Sequence, residues 1–170
     1  MTTTKKGGSS MDIDTLKYWL EYDQNSGVFR WKNSPHASFK VGDVVGSVNN
    51  HGYWTIRLKG KLYQAHRLAF LYCHGFMPKQ VDHINGVRSD NRLTNLRAAT
   101  SPTNQWNRSK NTNNTTGFKG VFLFKPTGKY QAKIGVNNKK IHLGYFDSAE
   151  EASEAYKQAA RLHHGDFARF

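Results

Sequence analysis

The chain has 170 residues, 37% of them hydrophobic, which suffices for one ordinary domain or two small ones. No stretch approaches the roughly 18 apolar residues of a membrane span, and the N-terminus lacks a signal peptide's apolar core, so we expect an intracellular protein without a membrane segment. The single cysteine, Cys73, excludes an internal disulfide and a cysteine-based zinc knuckle, and its apolar neighbours indicate a buried thiol.

The formal net charge is +13, and its distribution along the chain is uneven. Between Val44 and Phe146 there are 16 Lys or Arg residues but only two acids, Asp82 and Asp90. Excess lysine can simply keep a protein in solution. Here the acids are absent from long runs on either side of one short stretch, which is typical of a surface that contacts a polyanion. We therefore expect a nucleic acid as the partner.

The N-terminal part predicts a small β-rich region between two helices. Residues 1–13 are expected to form a flexible tail. In TLKYWLEY, apolar residues lie at helical spacing as far as Leu20, behind a possible N-cap at Asp14. Alternating aromatic and β-branched residues then predict one small antiparallel sheet over residues 27–67. Helical spacing returns in HRLAFLYCHG, where Gly75 ends the helix.

The stretch VDHINGVRSDNRLTNLRAATSPTNQWN follows that helix. Its VDHI and LRAAT segments predict two short strands around a turn-rich loop. A helix comes next, for which Ser101 is a good N-cap, Pro102 fits the first position, and Asn104 lies in the first turn. If the strands form a hairpin against this helix, Asp82 and Asn104 converge with His83 beside them.

These residue types have a shared chemical use. The carboxylate of Asp82 and the amide carbonyl of Asn104 are hard oxygen ligands suited to magnesium, which keeps several waters and completes its shell with phosphate oxygens. An imidazole with a pKa near ~6.5 accepts a proton from water at physiological pH, so His83 suits a general base. The alternative is that Asp and Asn serve here only as turn formers.

In the sequence, Asp82-His83 is followed by Asn95 after twelve residues and by Asn104 nine residues later. This spacing resembles the HNH nuclease family, most closely the HNN subset of phage and intron-encoded homing or nicking endonucleases. The resemblance implies a ββα-metal (His-Me finger) motif, with Asp82 and Asn104 binding one divalent cation and His83 as general base. Asn95 would orient the loop or the His83 ring. Many family members have a histidine at the position of Asn104. An amide oxygen in its place favours binding of Mg²⁺ or Mn²⁺ over tight binding of a transition metal. No structural zinc is expected.

Five further residues near the motif have less specific signals. His66 is expected to be a packed histidine at a helix start rather than a second ligand. Four arginines are candidate phosphate contacts, with solubilising charge as the alternative: Arg88, Arg92, Arg97 and Arg108.

The C-terminal part predicts a three-stranded antiparallel sheet packed on one helix. GFKGVFLF, KYQAKIGV and KIHLGYF alternate as short strands joined by PTG and NNK turns. Ser148 with Glu151 forms a capping box that starts the helix, and Gly165 ends it. The inward face is expected to comprise Val121, Leu123, Ala132, Ile134, Ile141 and Leu143. The outward face is expected to comprise Lys119, Phe122, Phe124, Gln131, Lys133, Lys140 and His142.

The FKGV, LGYF, AEEA and AY sequences of this part resemble the APETALA and ethylene-response-factor DNA-binding domain. The resemblance implies that the sheet lies in the DNA major groove. Phe122 and Phe124 stand where the plant domains have base-reading arginines, and His142 replaces a tryptophan, so a plant-like target is not expected. For Phe122 and Phe124 two alternatives stay open: they contact bases, or they belong to a small second apolar cluster. Lysines expected to contact phosphates include Lys119, Lys125, Lys133 and Lys140.

We therefore expect an α+β protein: a β-rich region with a ββα-metal motif, then a three-stranded sheet on one helix. The expected divisions are a tail 1–13, a nuclease domain 14–108, a linker 109–116 and a DNA-binding domain 117–170. The expected function is metal-dependent cleavage of double-stranded DNA, nicking one strand, by a monomer or weak dimer without an obligatory protein partner. If the origin is a phage, the location is the bacterial cytoplasm. The rivals are a non-catalytic DNA-binding protein with a degenerate motif and an RNA nuclease.

Overall fold

The computed structural model describes residues 11–108, 110 and 113–170. Residues 1–10 of the expected tail, and 109, 111 and 112 of the expected linker, lie outside this part of the chain. The chain divides into two compact units, Met1–Ala98 and Ala99–Phe170. This division precedes the expected linker, and the expected domain bounds stay a prediction. In the described ranges, no helix is both long and apolar enough to cross a membrane.

The first unit consists of short strands and two helices. In chain order they are α1 (Ile13–Trp19), β1 (Leu20–Asp23), β2 (Val28–Trp31), β3 (Ser47–Val48), β4 (Trp54–Leu58), β5 (Lys61–Gln64), α2 (Ala65–His74), β6 (Gln80–His83) and β7 (Leu96–Ala99), whose last residue already belongs to the second unit. β1 and β2 form an antiparallel hairpin, β3, β4 and β5 form a second antiparallel sheet, and β6 pairs with β7. The single sheet expected over residues 27–67 is therefore two sheets.

The start and end of α1 differ from the sequence expectation. The N-cap is Asp12, whose carboxylate accepts a hydrogen bond from the Thr15 amide at 2.7 Å, so the expected cap at Asp14 is wrong. Met11 is buried, so the chain is already part of the folded unit before residue 14. Leu20 begins β1 opposite Trp31 instead of continuing the helix. Its side chain is fully buried in the core of this unit.

The core of the first unit surrounds Phe29 of β2, which is 1% exposed. Tyr22 of β1 lies 4.7 Å from the Phe29 ring, and Tyr72 of α2 contacts both rings at their edges. α2 ends at Gly75 in the left-handed conformation, as predicted. The hairpin and α2 thus share one aromatic core, and β6 follows directly after this framework.

The second unit has the predicted sheet and helix. Its elements are α3 (Ser101–Trp106), β8 (Val121–Phe124), β9 (Lys129–Val136), β10 (Lys139–Phe146) and α4 (Ala149–His164). The strands are antiparallel in the order β8, β9, β10. The Ser148 and Glu151 side chains form the predicted capping box, and Gly165 follows the last turn. The predicted α+β class is confirmed.

The sheet of the second unit packs on α4 through fewer side chains than the alternation predicts. Val121, Ala132 and Ile134 are buried, and Leu143 is partly buried, as expected. Leu123 and Ile141 are 47% and 37% exposed, so their inward placement is wrong. The strand register shifts between His142 and Gly144, which interrupts the alternation along β10.

Lys119 is not on the outward face of the sheet, contrary to expectation. Its ammonium group donates hydrogen bonds to the carbonyl oxygens of Trp106, at 2.7 Å, and Arg169, at 2.9 Å. Burial lowers the pKa of Lys119 to about 8. Lys119 thus links the end of α3 to the C-terminal segment. The last carbonyl groups of a helix have no partner within the helix, and the long Lys119 side chain reaches one of them.

Candidate active site

Asp82 and His83 are the last two residues of β6, and both are buried. The Arg97 side chain of β7 donates from Nε, at 3.0 Å, and from Nη2, at 2.8 Å, to the same Asp82 oxygen, Oδ2. The sequence predicts Arg97 as a phosphate contact, with solubilising charge as the alternative. The structure gives it a partner inside the motif, so it also fixes the orientation of the Asp82 carboxylate.

The contacts of the His83 ring include one with a polar side chain and two with aromatic rings. Its Nε2 lies 3.1 Å from Oδ1 of Asn91. The His66 ring is 4.7 Å away, edge to face, and Tyr53 lies beyond at 6.1 Å. His66 is buried at the start of α2, which confirms that it packs there, and burial lowers its pKa to about 3.

Burial also lowers the pKa of His83, and this shift is opposed by the hydrogen bond that the ring donates to Asn91 and by the nearby Asp82 carboxylate. The imidazole is therefore neutral at physiological pH. A neutral imidazole can accept a proton, as a general base must.

Asn95 contacts the loop that joins β6 to β7. Its Oδ1 accepts a hydrogen bond from the Asn85 amide at 2.9 Å, and its Nδ2 donates to the Asn85 side chain at 3.0 Å and to the Asp90 carbonyl at 2.8 Å. Asn91, in contrast, contacts the His83 ring. The sequence analysis missed Asn91, because an asparagine between Asp90 and an arginine in a loop is indistinguishable from a turn former.

Two of the arginines expected to contact phosphates lie in this loop between β6 and β7. Arg88 donates to the His51 carbonyl at 2.9 Å and lies over the Tyr53 ring at 5.1 Å. Arg92 is half-exposed and forms a bidentate pair with Asp90, whose pKa it lowers to about 2. Arg88 lies on the same side of the first unit as His83, since the Tyr53 ring contacts both residues.

Asn104 lies in the second unit, on α3, one turn after the helix start. The N-cap is Thr100, which forms a capping box with Thr103, so the expected cap at Ser101 is wrong by one residue and Pro102 occupies the second position. Thr100 and Ser101 are both good caps, and the two hydrogen bonds of the box decide between them. A cation shared by Asp82 and Asn104 stays a prediction. Arg108 follows α3 and is exposed.

The donor chemistry of the motif fits a hard divalent cation. Among residues 11–108, 110 and 113–170, no three His, Cys, Asp or Glu side chains lie together in a way that could hold a metal. Magnesium and manganese accept shells in which water and substrate oxygens hold most positions.

The outer face of the second unit's sheet has a cluster of aromatic and polar side chains. Phe122 is 50% exposed, and Phe124 lies 5.1 Å from the Tyr145 ring. Gln131 Nε2 lies 3.2 Å from His142 Nδ1 and donates to the Tyr145 hydroxyl at 3.0 Å. The sequence analysis missed Tyr145, since LGYF was interpreted as a fold signature. The three lysines expected on this module in addition to Lys119 retain solvent exposure: Lys125, Lys133 and Lys140.

The chain is similar in sequence to a family model and to two known proteins. A sequence model described as HNH endonuclease matches residues 63–105. Protein 3.8 of Escherichia phage T7 is 32% identical over 99 residues, covering 57% of this chain and 81% of that protein. Ethylene-responsive transcription factor ERN1 of Medicago truncatula is 40% identical over 83 residues, covering 45% of this chain and 31% of that protein.

A solved structure titled "DNA binding and cleavage by the HNH homing endonuclease I-HmuI" covers 91% of this chain and 90% of its own, at 20% identity and a TM-score of 0.45. The HNH match includes Asp82, His83, Asn95 and Asn104, the four residues of the predicted motif. The phage relative is matched over most of its length. The chain therefore belongs to the HNH endonuclease family.

Proposed function

We propose that this protein is a DNA endonuclease that hydrolyses one phosphodiester bond per encounter, with His83 as general base. The observation that carries the proposal is the buried Asp82-His83 pair at the end of β6, with a neutral imidazole next to a fixed carboxylate. Its membership of the HNH endonuclease family supports the reaction class. The DNA substrate and the single cut are proposals for this chain.

Asp82 and Asn104 would hold a divalent cation, Mg²⁺ or Mn²⁺, by one carboxylate and one amide oxygen. A bound cation of this kind polarises the scissile phosphate and stabilises the leaving oxygen. His83 takes a proton from the attacking water. Arg97 keeps the Asp82 carboxylate oriented through its two hydrogen bonds to Oδ2. Asn95 holds the loop between the strands.

The positive charge of the chain supports a nucleic acid substrate, since 25 Lys and Arg face 12 acids. Arg88, Arg92 and Arg108 would contact phosphates near the motif. On the sheet, Lys125, Lys133 and Lys140 would bind the backbone of the duplex, and Phe122, Phe124 and His142 would contact bases. The likeness to part of a plant transcription factor supports this anchoring role.

One catalytic centre cuts one strand, so we expect a nick rather than a double-strand break from a monomer or weak dimer. Supercoiled plasmid incubated with the protein and Mg²⁺ should become open circular before any linear form accumulates. A chelator should abolish the reaction, and the Asp82→Ala, His83→Ala double variant should leave the plasmid supercoiled. The readout is the time course of the three plasmid forms on a gel.

The control is an Asp14→Ala, His163→Ala double variant, which removes an acid and an imidazole from exposed positions on α1 and α4. It should nick at the wild-type rate. The proposal is rejected if plasmid stays intact with Mg²⁺ and wild-type protein, or if the Asp82, His83 variant nicks as fast as the control.

A second candidate is a DNA-binding protein without catalysis, favoured by the match to a protein named as a transcription factor. It would depend on the basic sheet of the second unit alone. Duplex binding measured in chelator at stated salt discriminates the two when combined with the plasmid assay, because the second candidate binds without cutting under every metal condition.

A further inference from the structure

We infer that Asn91 and Tyr22 are positioning residues that fix which nitrogen of the His83 ring carries the proton. The inference deepens the proposed function, since it concerns the general base of that reaction. Both residues are buried, and both lie outside the four-residue motif. Tyr22 also lies outside the region matched to the HNH family.

The orientation of the Asn91 amide follows from its two contacts. Nδ2 donates to the Ser89 carbonyl oxygen at 3.3 Å, and a carbonyl can only accept a hydrogen bond. The amide oxygen, Oδ1, therefore faces His83 Nε2 at 3.1 Å. Because this oxygen is also only an acceptor, Nε2 must carry the hydrogen. In the neutral ring the lone pair is then on Nδ1, and this is the nitrogen that would take the proton from water.

Asn91 is in turn held from the core of the first unit. The Tyr22 hydroxyl on β1 donates to the Asn91 carbonyl oxygen at 2.6 Å. Tyr22 is 6% exposed, with its ring against Phe29, so the hydroxyl is fixed by packing. Burial raises the pKa of Tyr22, which keeps the hydroxyl protonated as a donor.

The turn of the same hairpin contacts the chain on the other side of Asn91. The Leu93 amide donates to the Gln24 carbonyl at 3.1 Å. Gly27 has φ +74°, and a Cβ there would lie 2.5 Å from the Arg92 nitrogen and from the Asn91 carbonyl carbon. Only glycine permits this approach. The hairpin β1–β2 thus fixes the backbone at residues 91–93, and through it the amide that faces His83.

The test combines a spectroscopic measurement with a kinetic one. In metal-free protein at pH 8, ¹⁵N NMR of the histidine rings should show His83 with its hydrogen on Nε2, assigned by the signal lost in His83→Ala. Asn91→Leu should convert it to a mixture of tautomers or to the Nδ1–H form. Its single-turnover rate should fall about 10- to 100-fold, the range for partners that orient a reacting group, with unchanged DNA affinity.

Two further variants make the outcome specific. Asn91→Asp retains an acceptor at this position and should keep the Nε2–H form. If the tautomer depended on the packing of residue 91 and not on its acceptor, this variant would not differ from Asn91→Leu. Tyr22→Phe removes one hydroxyl and keeps the ring, and should lower the rate roughly 3- to 10-fold, below the effect of losing Asn91 itself. The matched control, Tyr18→Phe, removes an exposed hydroxyl on α1 and should change neither readout.

The inference is overturned if folded Asn91→Leu retains the Nε2–H signal. If that variant does not fold, Tyr22→Phe decides, and a wild-type rate and spectrum overturn the inference. The NMR readout does not require activity. A protein that fails to nick plasmid but shows the tautomer change would therefore reject the proposed function and keep the assignment of Asn91.

Discussion

His83→Ala should lower the single-turnover rate of DNA cleavage about 10²- to 10⁴-fold, the usual contribution of a positioned general base. The imidazole is neutral because burial lowers its pKa, so its removal takes away a proton acceptor and not a positive charge. Duplex affinity should therefore stay within about twofold of wild type, since phosphate contacts come from other side chains. Rapid-quench kinetics with protein in excess over labelled duplex measures both quantities.

Chemical rescue separates a lost base from a damaged fold. Free imidazole should restore part of the His83→Ala rate in proportion to its concentration, and it should have no effect on the wild type. His163→Ala, which removes an exposed imidazole on α4, is the control and should retain full activity. A His83→Ala rate within threefold of the control would show that this residue is not the base.

Gly120→Ala should destabilise the second unit by roughly 2–5 kcal/mol, from left-handed strain plus overpacking. Gly120 has φ +75°, and a Cβ at this position would overlap the Tyr156 ring of α4 and lie 2.7 Å from the Lys133 carbonyl oxygen. Tyr156 is buried and cannot move without disturbing Ile134 and Ala160 beside it. Hydrogen exchange of β9 and α4 amides should report the loss of protection.

Gly128→Ala is the matched control for Gly120→Ala. Gly128 also has positive φ, at +71°, but nothing lies within 4 Å of the position its Cβ would take. This variant should lower the free energy of unfolding by only about 1–2 kcal/mol, because it adds the strain of the backbone conformation and no overlap. Equal losses for the two variants would mean that the contact of Gly120 with Tyr156 contributes nothing. If the sheet anchors the protein on DNA, Gly120→Ala should also weaken duplex binding.

The approach of Gly120 to Tyr156 joins two of the short sequences by which the second unit resembles the plant DNA-binding domain. Gly120 is the glycine of FKGV, and Tyr156 is the tyrosine of the AY pattern. Such motifs were recognisable because close approach of a strand to a helix permits few residue types. Lys119, one residue before, was misplaced on the outer face because its partners are backbone carbonyls, which leave no sequence pattern.

Local signals predicted most elements, and they failed where two neighbouring residues were equally suitable. The capping box at Ser148 is correct because Glu151 leaves no rival. Asp12 and Asp14 both suit the start of α1, and Thr100 and Ser101 both suit the start of α3, so the hydrogen bonds of the fold decide. Alternation predicts Leu123 on the inward face, but its side chain is 47% exposed. Alternation alone does not show how far a helix covers a strand.

The candidate site was predictable as far as its residues are close in sequence. The spacing of Asp82, His83 and Asn95 identified one end of β6 and the loop after it. The contact of Asn91 with the ring and the support from Tyr22 were not predictable. Tyr22 and Asn91 are 69 positions apart, and nothing in the sequence pairs a core tyrosine with a loop carbonyl.

The central proposal is that Asp82 and Asn104 bind the same divalent cation. Titration of Mn²⁺, followed by the electron paramagnetic resonance signal of the free ion, tests it most directly in wild type, Asp82→Ala and Asn104→Ala. The control is Asn113→Ala, which removes an exposed amide outside the motif. The account predicts one site in wild type and in the control, with affinity reduced by at least about tenfold in each of the other two variants. Wild-type Mn²⁺ affinity in folded Asn104→Ala or folded Asp82→Ala would contradict it.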